Sequence, residues 1–461
     1  MKTLFSALIL LFSVSASAGI VVHNNEVTGP IKPMNAVNNG PKKEGTDQVI
    51  GNFDAYKALR IPYARTHDAA FCADYGGEHI VDVMNIFPDF SMKVDDPKAY
   101  DFTLTDIYLQ SIQDAGTKVF FRLGQKIEHP IKKYGIYPPK DFKKWAQICE
   151  HIIRHYIEGW NSGSHYDMKY WEIWNEPDLD GDGNTNPKTW GGTKDQFFDL
   201  YTITAKHLKT CFPNLKIGGP ALAYSENWAD EFLSSMANRK VSMDFFSWHV
   251  YTNEPQDVAN KATRMRVMLD KYGYKNTESI LDEWNYIEDW SPKFKSSLNV
   301  IHTNKGAAFI AAVMSLCQNK PVDMLMYYDA RIATTFNGLF DPVTLDPLPP
   351  YYALYSWRKL VDLGTQLKTT VDEKDIYAIA ATDKQGHAAV MITRYCKDNN
   401  EVAAEDVKVS IDGGSLKNSF AYITDACHLY TEIPIEANNG KLNIRMNPNS
   451  VALVILDSSS N

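Results

Sequence analysis

Between about residue 29 and residue 365 the chain repeats one pattern, a short apolar run followed by a stretch with helical periodicity. A parallel strand pair needs a long crossover, so this alternation predicts a parallel sheet covered by helices. Eight runs qualify: Ile31 to Val37, Ile61 to Thr66, Lys118 to Leu123, Tyr170 to Trp174, Lys216 to Pro220, Phe245 to Tyr251, Ser279 to Trp284 and Val322 to Tyr328. Eight is the number that closes a (β/α)8 TIM barrel, which takes about 250 residues or more. The helices between the runs have legible ends. Pro139 opens one whose apolar face is Phe142, Trp145, Cys149, Ile152 and Tyr156, and Gly159 follows its last turn.

After Gly364 the texture changes to β-rich runs separated by turn residues: Ile376 to Ala381, Ala388 to Thr393, Val407 to Ile411, Phe420 to Thr424, Leu442 to Arg445 and Val451 to Leu456. These predict an antiparallel β-sandwich. The expected class is therefore α/β, with a barrel over residues 19–363 and a C-terminal sandwich over 364–461. Residues 1–18 read as a signal peptide: Lys2, an apolar run from Leu4 to Val14, then Ala16, Ser17 and Ala18 before a cut after Ala18. The expectation is a periplasmic or secreted protein, with no later run long enough to span a membrane.

The net charge of −9, or −10 once Lys2 leaves with the leader, disfavours nucleic acid and other polyanions as partners. Six cysteines stand at 72, 149, 211, 317, 396 and 427, in spacings that fit no metal motif. Cys149 and Cys317 fall in apolar helical patterns and read as buried thiols, while Cys396 and Cys427 are a candidate disulfide pair.

Two carboxylates carry the chemistry. Trp171-Glu172-Ile173-Trp174-Asn175-Glu176-Pro177 ends the fourth run, and Leu281-Asp282-Glu283-Trp284-Asn285 ends the seventh. The carboxy ends of all barrel strands converge on one face, so Glu176 and Glu283 can share a pocket despite lying 107 residues apart. Cleaving a glycosidic bond takes one protonated carboxyl beside the leaving oxygen and one ionised carboxylate at the anomeric carbon. Two glutamates supply both.

With these motifs the chain resembles glycosidase clan A, and within it glycoside hydrolase family 39, the family of β-xylosidases and α-L-iduronidases. The resemblance covers about residues 29–360. It implies that Glu176 is the acid/base and Glu283 the nucleophile of a retaining double displacement needing no metal or organic cofactor. Supporting matches are Ala36-Val37-Asn38-Asn39-Gly40-Pro41, Arg65-Thr66-His67-Asp68, Gly218-Gly219-Pro220 and Trp248-His249-Val250-Tyr251. The implied substrate is a plant-type oligosaccharide or polysaccharide, with a β-xyloside or α-L-arabinoside favoured. Transglycosylation and non-catalytic carbohydrate binding on a barrel scaffold are the alternatives.

The candidate substrate-binding residues are Asn175, Arg65, His67, His249, Tyr251, Trp284 and Tyr328. Asn175 is placed to meet a sugar 2-hydroxyl, and Arg65 and Tyr251 to keep Glu283 ionised. Glu172 shares the side-chain parity of Glu176 but lies deeper, and Asp282 points to the opposite face of its strand, so both read as structural. Trp284 and Tyr328 have two readings, sugar-stacking platform or barrel filler. Asp178, Asp180, Asp182, Gly183 and Asn184 imitate half a calcium loop, but Thr189 stands where the closing glutamate belongs; the loop is expected to shape a subsite. A uronic acid would need a cation beside its carboxylate, and Lys126 and Arg331 are the loop cations near strand ends.

Overall fold

The computed structural model of the protein describes residues 19–43, 51–68, 79–332, 334–412, 416–435, 437–438 and 440–458. The leader reading and Cys72 lie outside the described residues. After a first strand, β1 (Ile20–Pro30), eight short strands form a closed parallel barrel. They are β2 (Ala36–Asn38), β3 (Tyr63–Arg65), β4 (Lys118–Leu123), β5 (Tyr170–Ile173), β6 (Lys216–Leu222), β7 (Phe245–Thr252), β8 (Glu278–Tyr286) and β9 (Met324–Tyr327). β9 pairs back onto β2, with Ala36 beside Met326. Every strand expected from the alternation is present, most of them trimmed or extended at the ends.

Alternating side chains sort the barrel interior into layers. Ala36, Phe120, Tyr170, Phe245, Ile280, Met324 and Met326 form an apolar floor, in which the Phe120, Tyr170 and Phe245 rings meet at 5.1–5.6 Å. One layer nearer the carboxy ends, at Asn38, Arg65, Glu172 and Asp282, the interior turns polar. A sealed floor beneath buried charge makes the barrel a cup open at the carboxy ends of its strands.

The outer helices obey ordinary rules. The helix Phe142–Glu158 starts at Asp141, whose side chain accepts from the Lys143 and Lys144 N–H groups, and ends at Gly159 with φ 75°. Asn304–Gln318 is apolar nearly all round and almost wholly buried, because it lies between the barrel and a second sheet. Among the described residues no single helix is long and apolar enough to cross a membrane.

The second domain is one ten-stranded, mostly antiparallel sheet. It adds β10 (Thr365–Val371), β11 (Ile376–Thr382), β12 (Ala388–Arg394), β13 (Glu405–Asp412), β14 (Leu416–Thr424), β15 (Thr431–Ile435), β16 (Ala437–Asn438), β17 (Lys441–Met446) and β18 (Ser450–Ser458). The order is β15-β14-β18-β12-β11-β10-β1-β13-β17-β16. Residues of β12, β14 and β18 share one core with residues of β13 and β17, so the sheet folds over on itself. Its other face, through Ile379, Met391, Val451 and Leu453, joins the core of the barrel.

Two expectations need correction here. β1, assigned to the barrel with residues 19–363, belongs to the second domain: it runs antiparallel to β10 and parallel to β13, and buries Ile20 and Val22 in that core. Its partners lie more than 300 residues away in the chain, so nothing local marks its sheet. Cys396 and Cys427 are not bridged; both are free, one buried and one exposed, as are the buried Cys149 and Cys317.

Candidate active site

Two departures from regular strand geometry build the site. β5 stops at Ile173, and Trp174 and Glu176 then take positive φ values of 76° and 51°. Non-glycine residues hold that conformation only when their surroundings enforce it. The enforcement is visible. Trp174 leaves the inward parity of Tyr170 and Glu172 and packs against Trp145 and Trp190, with its indole N–H donating to the Thr189 carbonyl at 3.0 Å. Gly124 makes room for the turn, since a Cβ there would stand 2.8 Å from the Trp174 Cα. The same turn aims Asn175 and Glu176 into the cup.

The second departure is in β8. Trp248 pairs with Leu281, yet its neighbour His249 pairs with Glu283, and a matching slip occurs against β9. Asp282 is the extra residue of a bulge. Two consecutive carboxylates therefore enter the barrel, and Asp282 does not point to the opposite face as strict alternation had it. Trp284 is carried outwards instead. It is fully buried against Phe309 and Tyr327, so it is core and not a substrate platform.

Arg65 stands at the centre, fully buried. Its Nε lies 2.6 Å from Glu172 and 3.1 Å from Asp282, and Nη1 lies 3.3 Å from Glu283 and donates to Asn38 at 3.0 Å. Nη2 donates to the Asn175 amide oxygen at 2.7 Å. That bond fixes the amide and leaves Asn175 Nδ2 without a protein partner. Tyr251 donates its hydroxyl to Glu283 Oε1 at 2.5 Å. His249 Nδ1 lies 2.9 Å from Glu176 Oε1, while Nε2 faces Asp282 and Glu283 at 3.6 and 3.8 Å. One oxygen each of Glu176 and Glu283 and a His249 ring nitrogen all lie within 4.8 Å of one another.

The electrostatics follow from burial and pairing. Burial opposes charge on His249, but Glu283 and Asp282 outweigh it and hold the ring protonated well above the usual range. Burial pushes the Glu172 carboxyl up to about 8 against the pull of Arg65, so it is neutral at pH 7. Burial resists ionisation of Asp282 too, but Arg65 and His249 hold it below its usual value. For Glu283 burial wins: its pKa is raised, with Glu176 adding a like-charge push, although His249, Arg65 and Tyr251 all favour the anion. The expected effect of Arg65 and Tyr251 is thus present in sign, and burial exceeds it.

Around these groups runs an aromatic wall. Tyr251 meets Phe336 and Trp290 at 5.9 and 5.2 Å, Phe336 meets Tyr328 at 5.5 Å, and Tyr328 meets His67 at 5.6 Å. Burial holds the His67 ring neutral, and its edge-to-face contact supports Tyr328. Tyr328 donates to Asp68 at 3.2 Å. Trp290, 56% exposed, and Phe336 escaped the sequence reading. An exposed tryptophan in the loop after the Glu283 strand was the available clue, since loops on that face carry binding residues.

The loop cations are already matched. Asp68 lies 3.1 Å from Arg331 and 3.5 Å from Lys126, and Asp329 lies 3.4 Å from Arg331. The acidic loop after Glu176 spends its carboxylates on backbone: Asp178 accepts from Ala223, Tyr224 and Ser225, Asp180 from Lys188 and Thr189, and Asp182 from Lys194. Its half-motif is thereby explained as loop bracing.

Residues 56–413 match the glycosyl hydrolases family 39. The chain belongs to that family. It is 29% identical over 312 residues to a β-xylosidase of Geobacillus stearothermophilus, a match taking in 60% of this chain and 57% of that one. Over 147 residues it is 32% identical to a β-xylosidase of Caldicellulosiruptor saccharolyticus, covering 32% of this chain and 26% of the relative. The chain thus spans little more than half the length of the first relative and about a quarter of the second. Among solved structures, a glucosidase from Croceicoccus marinus superposes with a TM-score of 0.78 at 22% identity, over 96% of this chain and 99% of that one. At that identity the likeness concerns the fold.

Proposed function

We propose that this family 39 protein is an exported retaining glycoside hydrolase that removes terminal pentose units from plant-type oligosaccharides or polysaccharides, in the manner of a β-xylosidase or an arabinosidase. The observation that favours double displacement is that one oxygen of Glu176 and one oxygen of Glu283 lie within 4.8 Å of each other. Retaining pairs stand about 5–5.5 Å apart, whereas an inverting pair keeps about 6.5–9.5 Å to hold a water between them.

The roles follow from the contacts. Glu283, held by Tyr251 and Arg65, attacks the anomeric carbon while Glu176 gives its proton to the leaving oxygen. Glu176 then takes a proton from water, which releases the sugar from Glu283. His249 touches both carboxylates and tracks the charge as it passes between them. Asn175 Nδ2, fixed by Arg65 and otherwise unpartnered, is the donor for the sugar 2-hydroxyl beside the nucleophile. A contact that tightens as charge develops raises the rate of the chemical step. The matched Lys126, Arg331, Asp68 and Asp329 cluster favours a neutral sugar over a uronate. Export rests on the basic residue, apolar run and small residues at the chain start.

The test is cleavage of a panel of xylosides, arabinosides and plant oligosaccharides by wild type and by Glu283→Ala, with the released anomer followed by NMR before mutarotation. The expected result is cleavage by wild type alone with retained configuration. An inverted product sinks the double displacement. Binding by both proteins with cleavage by neither makes the barrel a recognition module.

A further inference from the structure

We propose that Glu150, His207 and Cys211 form a binding site for a borderline divalent cation, zinc above all, on the helical shell of the barrel. His207 and Cys211 are one turn apart on the helix Lys194–Cys211 and share a face. Glu150 meets them from the neighbouring helix Phe142–Glu158. Glu150 Oε2 lies 2.6 Å from His207 Nε2, and Cys211 Sγ lies 3.8 Å from the same nitrogen. The three donor atoms fall within 4.8 Å of one another.

A tetrahedral zinc ion with bonds of about 2.0–2.3 Å spaces its donors about 3.3–3.7 Å apart. The nitrogen and sulfur already stand at nearly that separation. The oxygen and nitrogen must part by about 0.7 Å, which side-chain rotation supplies at a partly buried site, where Glu150 and His207 are 15% and 29% exposed. Imidazole, thiolate and carboxylate are the donors zinc takes, and three of them leave the fourth position to water. Two anions balance the two charges of the ion. As metal enters, the thiol proton passes to solvent, and the Nε2 proton that faces Glu150 is exchanged through solvent to Nδ1, which leaves Nε2 its lone pair.

Arg154 stands beside the site, near Cys211 as well as Glu150, and it orients the carboxylate. It holds the other carboxylate oxygen, Glu150 Oε1, at 2.8 Å, pairs with Glu158, and lies over the Phe212 ring at 5.0 Å. Oε2 is thereby turned towards His207. The spacing His-x-x-x-Cys read as no metal motif because its third donor comes from 57 residues upstream on another helix. The consequence is a staple: the two helices precede and follow β5, the strand that carries Glu176 into place.

The experiment is titration of the reduced full-length protein with cobalt(II), followed by absorption, for wild type, Cys211→Ser and His207→Gln. Serine replaces sulfur with almost no change in volume, and circular dichroism checks folding of both variants. We expect one equivalent to produce thiolate-to-cobalt charge transfer in wild type, none in Cys211→Ser, and at least tenfold weaker binding in His207→Gln. Zinc should raise the thermal midpoint of wild type and leave that of Cys211→Ser unmoved, with glycosidase activity of metal-free Cys211→Ser equal to wild type. Cobalt bound without the thiolate band, no binding at all, or a band that survives in Cys211→Ser overturns the proposal.

Discussion

Replacing Tyr251 by phenylalanine isolates the bond that the structure places on the nucleophile. The ring stays: its contacts with Trp290 and Phe336 are made by carbon. What goes is one hydroxyl donating to Glu283 Oε1, in a site where Glu283 is 6% exposed. A hydrogen bond to a charged group is worth about 1.5–3 kcal/mol, and each 1.36 kcal/mol is a factor of ten. The sign follows from which form the donor prefers. Tyr251 stabilises the carboxylate, so its loss raises the pKa of Glu283 further and shrinks the ionised fraction at acid pH. On the acidic limb of the kcat/KM profile the variant should lose roughly ten- to a hundredfold. On the plateau, where Glu283 is ionised in both proteins, a less solvated carboxylate is also a better nucleophile, and the loss should stay below about tenfold. The assay is kcat/KM for an aryl glycoside of the preferred sugar across the acid range, with circular dichroism to confirm folding. An equal loss at every pH would refute the reasoning, because it would mean that Tyr251 acts on the transition state alone.

Glu176→Ala should separate substrates by leaving group: glycosides of poorly acidic alcohols should lose about 10²–10⁴-fold, the usual worth of general acid catalysis, while dinitrophenyl glycosides react nearly as before in the first step. Equal losses on both would remove its acid role. Arg65→Met should cost about 3–5 kcal/mol at pH 7, the usual consequence of stranding buried carboxylates by removing the arginine paired with them. Arg65 favours the anions of Asp282 and Glu283, so protonating those groups removes what it stabilises; the deficit against wild type in urea unfolding should shrink as pH falls. A deficit that grows on acidification would contradict the charge network.

The eight barrel strands were legible because a buried parallel strand has to be a short apolar run, and the meeting of Glu176 with Glu283 was legible because the carboxy ends of barrel strands converge on one face. What the sequence hid came from one premise, strict alternation along each strand. It holds for Phe245, Ser247, His249 and Tyr251, which all face inwards. It fails at Trp174, whose left-handed backbone sends the indole out, and at Asp282, whose bulge sends Trp284 out and two carboxylates in. Neither break has a local signature: the room for the turn comes from Gly124, and the slip in β8 shows only in its pairing with β7 and β9, all of which lie elsewhere in the chain. β1 was misplaced for the same reason, its partners being distant.

The breaks fall at the chemistry, and regular geometry explains why. A regular strand offers one inward side chain for every two residues, spaced about 6.6 Å apart along its length. Such a strand can place an anion deep in the barrel or one at the lip, but not both within reach of a single arginine. The bulge brings Asp282 and Glu283 together, so that Arg65 and His249 can hold the deeper carboxylate charged while the outer one, raised by burial, faces the open cup. On β5 the left-handed turn at Trp174 does the complementary work, lifting Glu176 clear of the strand towards His249 while Glu172 stays below as a neutral partner of Arg65. A regular β5 and β8 would keep the barrel and lose the pair.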